Sequence, residues 1–518
     1  MLGSSCTSTR YDHGDTCRWC PLRAICALES NQSICPDCLN RSISISYEYD
    51  CPLGPDIYPG PPEFLPDWMG AFVAAGAFHN VTLMDLSLPG THDSVTYDLS
   101  LTVSEAGLDK FHELEALLHK LSKDSVKLLP GDLENFFRMQ AKTQQFTLTQ
   151  QLDNGIRFID LRIMRESDKT AGNSSHWYSI HFMQSRNTVA YYLHEIRNWV
   201  DRHPHEVVVL WLSQHGNPLA TGDDQFPGVT SEEKEIFWRS YLGIFDGVLL
   251  DRRESSIFET PVVELIQRQH RVITFASDYQ ELTHSSPYAL DARNIQNRYD
   301  GGDGVFDAAV VLRKHDDYFQ DAEKNNADAR KDFGFTLLGM NTAVSSWQTI
   351  HVATKLFLHI ALYPCAYHIH IPGVSHWCPE TLLDIAQLAS YYNQISIDKA
   401  FNAKLAFPNA FYLDALDFDG TIRTGSLLLD GADRGASAFK TSKFAYVDTI
   451  IEYNRQRTCS VKIDPADVDS TIPDIPVLSV SNGCSVLASE IQKRRQKNPL
   501  QLWDEPRHGR HRGWPATQ

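Results

Sequence analysis

The octapeptide SLPGTHDS (Ser87–Ser94) follows NVTLMD (Asn80–Asp85) after one residue, Leu86, and apolar and polar residues alternate in much of that run. Such alternation is typical of a half-buried β-strand, and the proline and glycine of the octapeptide predict a tight turn where that strand ends. The turn carries a titratable pair, His92 and Asp93. Functional side chains of parallel α/β folds lie at the carboxyl ends of the strands, so this pair is the first candidate for a site.

Apolar runs of strand length recur downstream, separated by segments with helical spacing. The predicted strands are VTLMDLSL (81–88), IRFIDLRI (156–163), WYSIHFMQ (177–184), EVVVLWLS (206–213), HRVITFAS (270–277), FGFTLLGM (333–340) and NAFYLDALDF (409–418). Strands that alternate with amphipathic helices predict parallel βαβ units, and about seven strands is close to the eight of a TIM barrel. We therefore predict an α/β fold, a TIM (β/α)8-type barrel that is either regular or distorted and incompletely closed. An open doubly wound sheet is the alternative.

The composition restricts the partners. The 518 residues carry a net charge of −18 and 42% of them are hydrophobic, so the chain can bury a large core and its body should repel nucleic acid. No apolar run reaches the about 18 residues that a membrane-spanning helix needs. We predict no nucleic-acid partner and no transmembrane segment, so any lipid substrate would have to be met peripherally, at a membrane surface.

Seven of the eleven cysteines lie within the first 51 residues. Two CxxC pairs, CRWC and CPDC, have a spacing that suits either one zinc ion or a small disulfide knot. Glycosylation sequons occur at Asn31, Asn40, Asn80 and Asn173, and the two inside this segment favour disulfides. We expect an extracellular or secretory-lumen location, although no signal peptide is visible. A cytoplasmic protein peripheral to membranes is the alternative.

Three regions are predicted. Residues 1–66 form a Cys-rich module with a Pro-rich linker, residues 67–455 form the barrel with a helical insert at about 101–135, and residues 456–518 form a C-terminal extension. This extension lacks a clear period and is strongly basic near its end, so we expect disorder from Lys493 onward.

Polar side chains recur at the predicted strand ends. The candidates are His92 and Asp93 from the octapeptide, Asp160 and Arg162 from IRFIDLRI, His181 from WYSIHFMQ and Asp414 from NAFYLDALDF. Charged residues inside apolar strands are costly unless they are paired, so their recurrence at matching ends indicates one shared site.

This set of residues suits phosphodiester cleavage. Two histidines can serve as general base and general acid around one displacement, and an arginine can neutralise charge that develops on phosphate oxygens. Carboxylates can orient each imidazole. None of these roles requires a metal, so we predict no cofactor and no metal ligand.

Three motifs, LPGTHDS, GIRFIDLRI and WYSIHFMQS, in this order resemble the X domain of phosphatidylinositol-specific phospholipase C. The resemblance is closest to the bacterial type and to eukaryotic X-domain-containing proteins, and it is strongest over residues 83–213. It implies a phosphodiesterase that releases diacylglycerol and a cyclic inositol phosphate from phosphatidylinositol-like lipids. His92 would be the general base, His181 the general acid, and Arg162 would stabilise the charge on the phosphorane.

The resemblance also implies supporting roles for the carboxylates. Asp414 would fix the tautomer of His92, Asp93 would support His181, and Asp160 would hold Arg162. Calcium-dependent relatives carry an acidic ligand where this chain has Arg162, and a guanidinium takes the place of the cation. Where bacterial enzymes hold the inositol ring with a lysine, this chain has Gln214 nearby, which is therefore a candidate substrate-binding residue.

The altered head-group pocket leaves two alternatives open. The barrel could be a weakly active or inactive protein that binds lipid head groups, or a phosphodiesterase that acts on a different head group.

Overall fold

A computed structural model describes residues 7–10, 16–20, 25–28, 65–122, 131–167, 175–213, 231–276, 286–299, 308–341, 382–414, 445–459 and 480–497. The described residues form fourteen strands, which are β1 (Thr7–Arg10), β2 (Thr16–Cys20), β3 (Ile25–Leu28), β4 (Gly90–Thr91), β5 (Leu99–Val103), β6 (Phe158–Ser167), β7 (Ser175–His181), β8 (Met183–Thr188), β9 (Val208–Ser213), β10 (Val272–Ala276), β11 (Leu290–Asp291), β12 (Ile295–Tyr299), β13 (Phe335–Met340) and β14 (Ala410–Leu413).

The helices of the same residues are α1 (Trp68–Ala74), α2 (Leu108–Ser122), α3 (Asp132–Ala141), α4 (Leu148–Asp153), α5 (Val189–Arg202), α6 (Ser231–Ile244), α7 (Val262–Gln267), α8 (Ala308–Lys331), α9 (Leu382–Asn402), α10 (Ala445–Thr458) and α11 (Val480–Lys497). Among them, none combines the length and the apolar character that crossing a bilayer requires.

Eight parallel strands form one sheet, in the order β11-β10-β9-β6-β4-β14-β13-β12. Aromatic side chains show that this sheet is rolled, because Phe335 of β13 lies 5.4 Å from Phe275 of β10 and 6.1 Å from Phe158 of β6, between ring centroids. Strands near opposite ends of the strand order thus contact each other through one interior core. The predicted α/β class is confirmed.

The sheet is not closed. Its two edge strands, β11 and β12, do not pair with each other within the described residues, although only the 3-10 turn Ala292–Asn294 separates them along the chain. Strand β11 pairs with β10, and strand β12 pairs with β13. The architecture is therefore an incompletely closed barrel of parallel strands.

Two predicted strands are wrong in detail. Within the run VTLMDLSL, Leu83–Asp85 form a 3-10 helix, because Thr82 and Asp85 cap each other. Leu88 makes one parallel bridge to Ala410, and the strand proper is only Gly90–Thr91. The run WYSIHFMQ does not enter the barrel: it forms β7 and the start of β8, antiparallel to each other. Strand β6 continues past the barrel and pairs with β7, so the motif forms a small sheet beside the barrel mouth.

A buried ion pair fixes the opposite end of the barrel. Arg157 and Glu206 precede β6 and β9, neither side chain is exposed, and the guanidinium Nη2 lies 2.6 Å from the carboxylate. Glu206 also accepts from the backbone N–H of Met69 and Gly70 in α1. Burial raises the pKa of Glu206 to about 7, although Arg157 opposes that rise. This network holds α1 across the amino-terminal ends of the strands.

The C-terminal extension is more ordered than expected. Helix α11 runs from Val480 to Lys497 and buries Leu487 and Ile491, so the predicted disorder is wrong for residues 493–497. A disulfide joins Cys459, at the end of α10, to Cys484 in α11. The sequence gives no clear helical period here, because only one narrow face of this helix is apolar.

The N-terminal strands β1, β2 and β3 pair antiparallel. The predicted zinc site or disulfide knot depends on cysteine side chains, of which the structure describes none in residues 1–51, so it stays a prediction. The tail after Lys497 lies outside the described residues.

Candidate active site

The octapeptide places His92 and Asp93 at the carboxyl end of β4. Asp93 has a φ of 47°, in the left-handed region that aspartate tolerates better than most residues. Its backbone N–H donates to Asp160 at 3.0 Å, and its carbonyl accepts from the Thr96 hydroxyl at 2.9 Å. The strained turn is therefore held at both sides, which fixes the direction of both side chains.

Asp160 and Arg162 lie on the same face of β6, as the two-residue period of a strand requires. Asp160 is fully buried, whereas the Arg162 side chain is 15% exposed. The guanidinium Nε forms an ion pair with Asp93 and lies 3.3 Å from Asp160. Two buried carboxylates thus hold one arginine at the barrel mouth.

His92 is held at both ring nitrogens. Its Nδ1 lies 2.6 Å from Oδ1 of Asp414, the residue that follows β14, and its Nε2 lies 2.5 Å from Nη2 of Arg162. A carboxylate only accepts and a guanidinium only donates, so His92 carries its proton on Nδ1 and a lone pair on Nε2. This is the tautomer that a general base requires.

His181 reaches the same place from the β7–β8 hairpin. Its Nε2 lies 3.4 Å from Asp93, and the centroids of the His92 and His181 rings are 6.5 Å apart. On its other side, Nδ1 donates to the carbonyl oxygen of Ala141 at 2.5 Å. Ala141 is the last residue of α3, whose terminal carbonyls have no partner within the helix.

The electrostatics of the site favour neutral imidazoles. Burial lowers the pKa of His92 from 6.5 to about 4, and Arg162 adds to that shift while Asp93 opposes it. Burial likewise lowers the pKa of His181 to about 4, again with Arg162 adding to the effect. Burial raises the pKa of Asp93 above its usual value, although Arg162 counteracts this. An anion bound between the histidines would reverse the shift at both rings.

Within the part of the chain that the structure describes, one group of side chains could bring ligand atoms to a metal ion. Atoms of His92, Asp93 and Asp160 lie within 4.8 Å of one another. Arg162, however, lies at ion-pair distance from both carboxylates and supplies a fixed positive charge to them. These residues do not fit a catalytic cation as they stand, and the expectation of a metal-free mechanism stays a prediction.

Sequence reasoning missed two residues that build the site. Gln144 donates from Nε2 to the carbonyl oxygens of His92 at 2.8 Å and Leu413 at 2.7 Å, so it ties together the ends of β4 and β14. Tyr412 lies with its ring 5.3 Å from that of His92, and its hydroxyl donates to Asn297. Tyr412 lies two residues before Asp414, so the two-residue period of a strand already places both side chains on one face. Nothing in the sequence around Gln144 distinguishes that residue.

The structure brings together all six predicted catalytic candidates, which are His92, Asp93, Asp160, Arg162, His181 and Asp414. The seventh candidate, Gln214, lies outside the described residues.

Comparisons with known proteins agree with the motifs. Residues 135–316 match the family model described as PI-PLC X 1, a range that contains Asp160, Arg162 and His181 but begins after His92. Human PI-PLC X domain-containing protein 1 is 34% identical over 188 residues, which cover 36% of this chain and 50% of the relative. The protein of that name from Mus musculus is 28% identical over 228 residues, which cover 43% of this chain and 58% of the relative. The resemblance to the X-domain family is confirmed, although the chain spans only about half the length of these relatives.

Two solved structures align with this chain. Phosphatidylinositol-specific phospholipase C from Listeria monocytogenes aligns over 75% of this chain and 98% of its own, with 13% identity and a TM-score of 0.40. A phosphatidylinositol-specific phospholipase C from Staphylococcus aureus aligns over 75% and 97%, with 11% identity and a TM-score of 0.42.

Proposed function

We propose that this protein is a metal-independent phosphodiesterase that cleaves the glycerol–phosphate bond of phosphatidylinositol-like lipids. The observation that carries the proposal is the placement of His92, Arg162 and His181 around Asp93 at one end of the barrel. The spacing of the two imidazoles suits groups that face opposite oxygens of one phosphate. The names of the X-domain relatives and of the phospholipases agree with this class of reaction.

His92 acts as the general base. Its Nε2 lone pair takes the proton from the inositol 2-hydroxyl, and that oxygen attacks phosphorus. Asp414, hydrogen-bonded to Nδ1, keeps the required tautomer and stabilises the imidazolium that forms. Because burial holds the pKa of His92 near 4, the free base is already neutral at neutral pH.

Arg162 binds the phosphate. In the structure its Nη2 donates to His92, so an incoming phosphate oxygen must compete with the imidazole for the guanidinium. Once the phosphate is bound, the guanidinium neutralises charge that develops on the non-bridging oxygens while Asp93 and Asp160 keep it in place. Removing such a charge donor typically costs about 10²- to 10³-fold in rate.

His181 acts as the general acid. The leaving oxygen of diacylglycerol takes a proton from Nε2, while Nδ1 stays bonded to the Ala141 carbonyl. The group must be protonated before transfer, and the negative charge of the bound phosphate raises the pKa of His181 toward neutrality. The products are diacylglycerol and a cyclic 1,2-phosphodiester of inositol.

A second candidate function is recognition of a lipid head group without turnover. The observation that favours it is the direct bond between Arg162 and His92, which occupies the lone pair of the base until a ligand displaces the guanidinium.

Purified full-length protein and the His92→Ala variant should be assayed on phosphatidylinositol vesicles in excess chelator. The proposal predicts release of diacylglycerol by the native protein and loss of that release in the variant. Equal release by both proteins, or a strict need for calcium, would refute it. Vesicle binding without turnover would support the second candidate.

A further inference from the structure

We infer that Asn80 is an N-glycosylation site and that the chain matures in the lumen of the secretory pathway. The sequon Asn80-Val81-Thr82 is the one whose asparagine lies within the described residues, and its asparagine is exposed to solvent. Two independent features carry the inference: the fixed, outward-facing geometry at Asn80 and a disulfide in the C-terminal extension.

The turn that carries Asn80 is anchored on both sides. Phe78 is fully buried and Val81 is 9% exposed, whereas His79 between them is half-buried and Asn80 is exposed. The carbonyl oxygen of Val81 accepts from the backbone N–H of Val262, and the Thr82 hydroxyl donates to Asp85 at 2.8 Å. The native fold can therefore accommodate a glycan at Asn80 without disturbing any of these contacts.

The turn lies far from the proposed catalytic residues along the barrel axis. It follows α1, which the Arg157–Glu206 pair holds across the amino-terminal ends of β6 and β9. His92, Arg162 and His181 lie at the opposite, carboxyl ends of the strands. A glycan on Asn80 would therefore leave the barrel mouth open to a membrane surface.

The disulfide between Cys459 and Cys484 indicates the compartment. It joins residues 25 positions apart and holds α11 beside α10. Gly483, next to Cys484, packs so closely on α1 that a Cβ there would lie 2.6 Å from the Cα of Ala75. The crosslink thus holds α11 where it packs against Ala75, the residue that follows α1. Structural disulfides are rare in the reducing cytosol and persist in secreted proteins.

Both modifications have defined chemistry. The two thiols lose two protons and two electrons to the disulfide of a luminal thiol oxidoreductase, which becomes a dithiol. At Asn80, the amide nitrogen bonds to the first sugar carbon of a lipid-diphosphate-linked oligosaccharide. The bond from that carbon to the diphosphate breaks, the lipid diphosphate leaves, and the transferase accepts the amide proton.

The full chain should be produced in eukaryotic cells that make N-glycans, and then deglycosylated enzymatically in ¹⁸O-water. The proposal predicts that the Asn80 peptide carries aspartate labelled with ¹⁸O, and that non-reduced peptide maps link Cys459 to Cys484. Thr82→Ser, which keeps the sequon, should retain the label, whereas Asn80→Gln should lower the intact mass by one glycan. An unlabelled Asn80 peptide overturns the assignment, and alkylation of both cysteines before reduction overturns the compartment.

Discussion

The Nη2 atom of Arg162 lies 2.5 Å from Nε2 of His92, on the far side of the ring from Asp414. The guanidinium of Arg162 therefore covers the lone pair of His92 in this structure. In the proposed mechanism, a phosphate oxygen that draws the guanidinium away frees that lone pair at the same moment. Substrate binding and activation of the base would then be coupled through this one contact.

Asp414→Asn should lower kcat/KM by about 10²- to 10⁴-fold, the range typical of a misplaced general base. An asparagine amide can donate to Nδ1 of His92 and so favour the tautomer whose proton lies on Nε2. Tyr412→Phe is the matched control, because it removes the hydroxyl bond to Asn297 on the same strand and keeps the ring beside His92. A loss smaller than tenfold for Asp414→Asn would contradict the orienting role.

Arg162→Lys should lose about 10²- to 10³-fold in kcat, although the charge is kept, because a lysine cannot contact Asp93, Asp160 and a phosphate with one planar group. Excess chelator should leave the activity of the native protein unchanged. Activity of Arg162→Lys close to native, or inhibition of the native protein by chelator, would count against a guanidinium in place of a metal.

His181 should titrate near pH 4 in the free protein and at least one unit higher with a non-hydrolysable phosphonate analogue bound. Burial and the positive charge of Arg162 lower the pKa of His181 in the free protein. A bound anion stabilises the charged imidazole and therefore raises that pKa. At about pH 4.5 the free imidazole is therefore mostly neutral and the liganded one mostly charged. NMR of ¹⁵N-labelled histidine can follow the ring, with His181→Asn to assign the signal. A pKa that stays the same or falls on binding would argue against the role of general acid.

Phe137→Ala should lower kcat more than it changes KM. Phe137, in α3, stacks on Phe182 with centroids 4.4 Å apart, and Phe182 follows His181 with a positive φ of 65°. The same helix ends at Ala141, whose carbonyl accepts from His181. Phe111→Ala is the control, since that ring packs on Phe137 and not on Phe182. Equal effects of both substitutions, or a change confined to KM, would assign α3 a structural role only.

Local patterns in the sequence predict part of this structure well. The alternation in IRFIDLRI places Asp160 and Arg162 on one face, and β6 does so. The same kind of alternation in WYSIHFMQ predicts a barrel strand, but β7 turns back on the extension of β6. Alternation shows which side chains share a face and does not show which strand is the partner. His181 therefore reaches the site by a different route from the one expected.

Other features depend on contacts that no local pattern carries. Gly90 of the short strand β4 packs so closely against neighbouring strands that a Cβ there would lie 2.2 Å from the Phe411 carbonyl oxygen. Strands β11 and β12 were missed because their residues are mostly polar and partly exposed. Gln144 acts through backbone carbonyls of two distant segments, which only the folded chain brings together.

The separate roles proposed for the two histidines, general base and general acid, can be tested with two substrates that differ in their leaving group. An inositol phosphodiester with a p-nitrophenolate leaving group needs no general acid, whereas an alkoxide such as that of diacylglycerol does. His181→Ala should therefore be strongly impaired with the lipid and recover most of its activity with the p-nitrophenyl substrate, while His92→Ala should be impaired with both. Equal impairment of the two variants on both substrates would contradict the assignment of one base and one acid to a single phosphate.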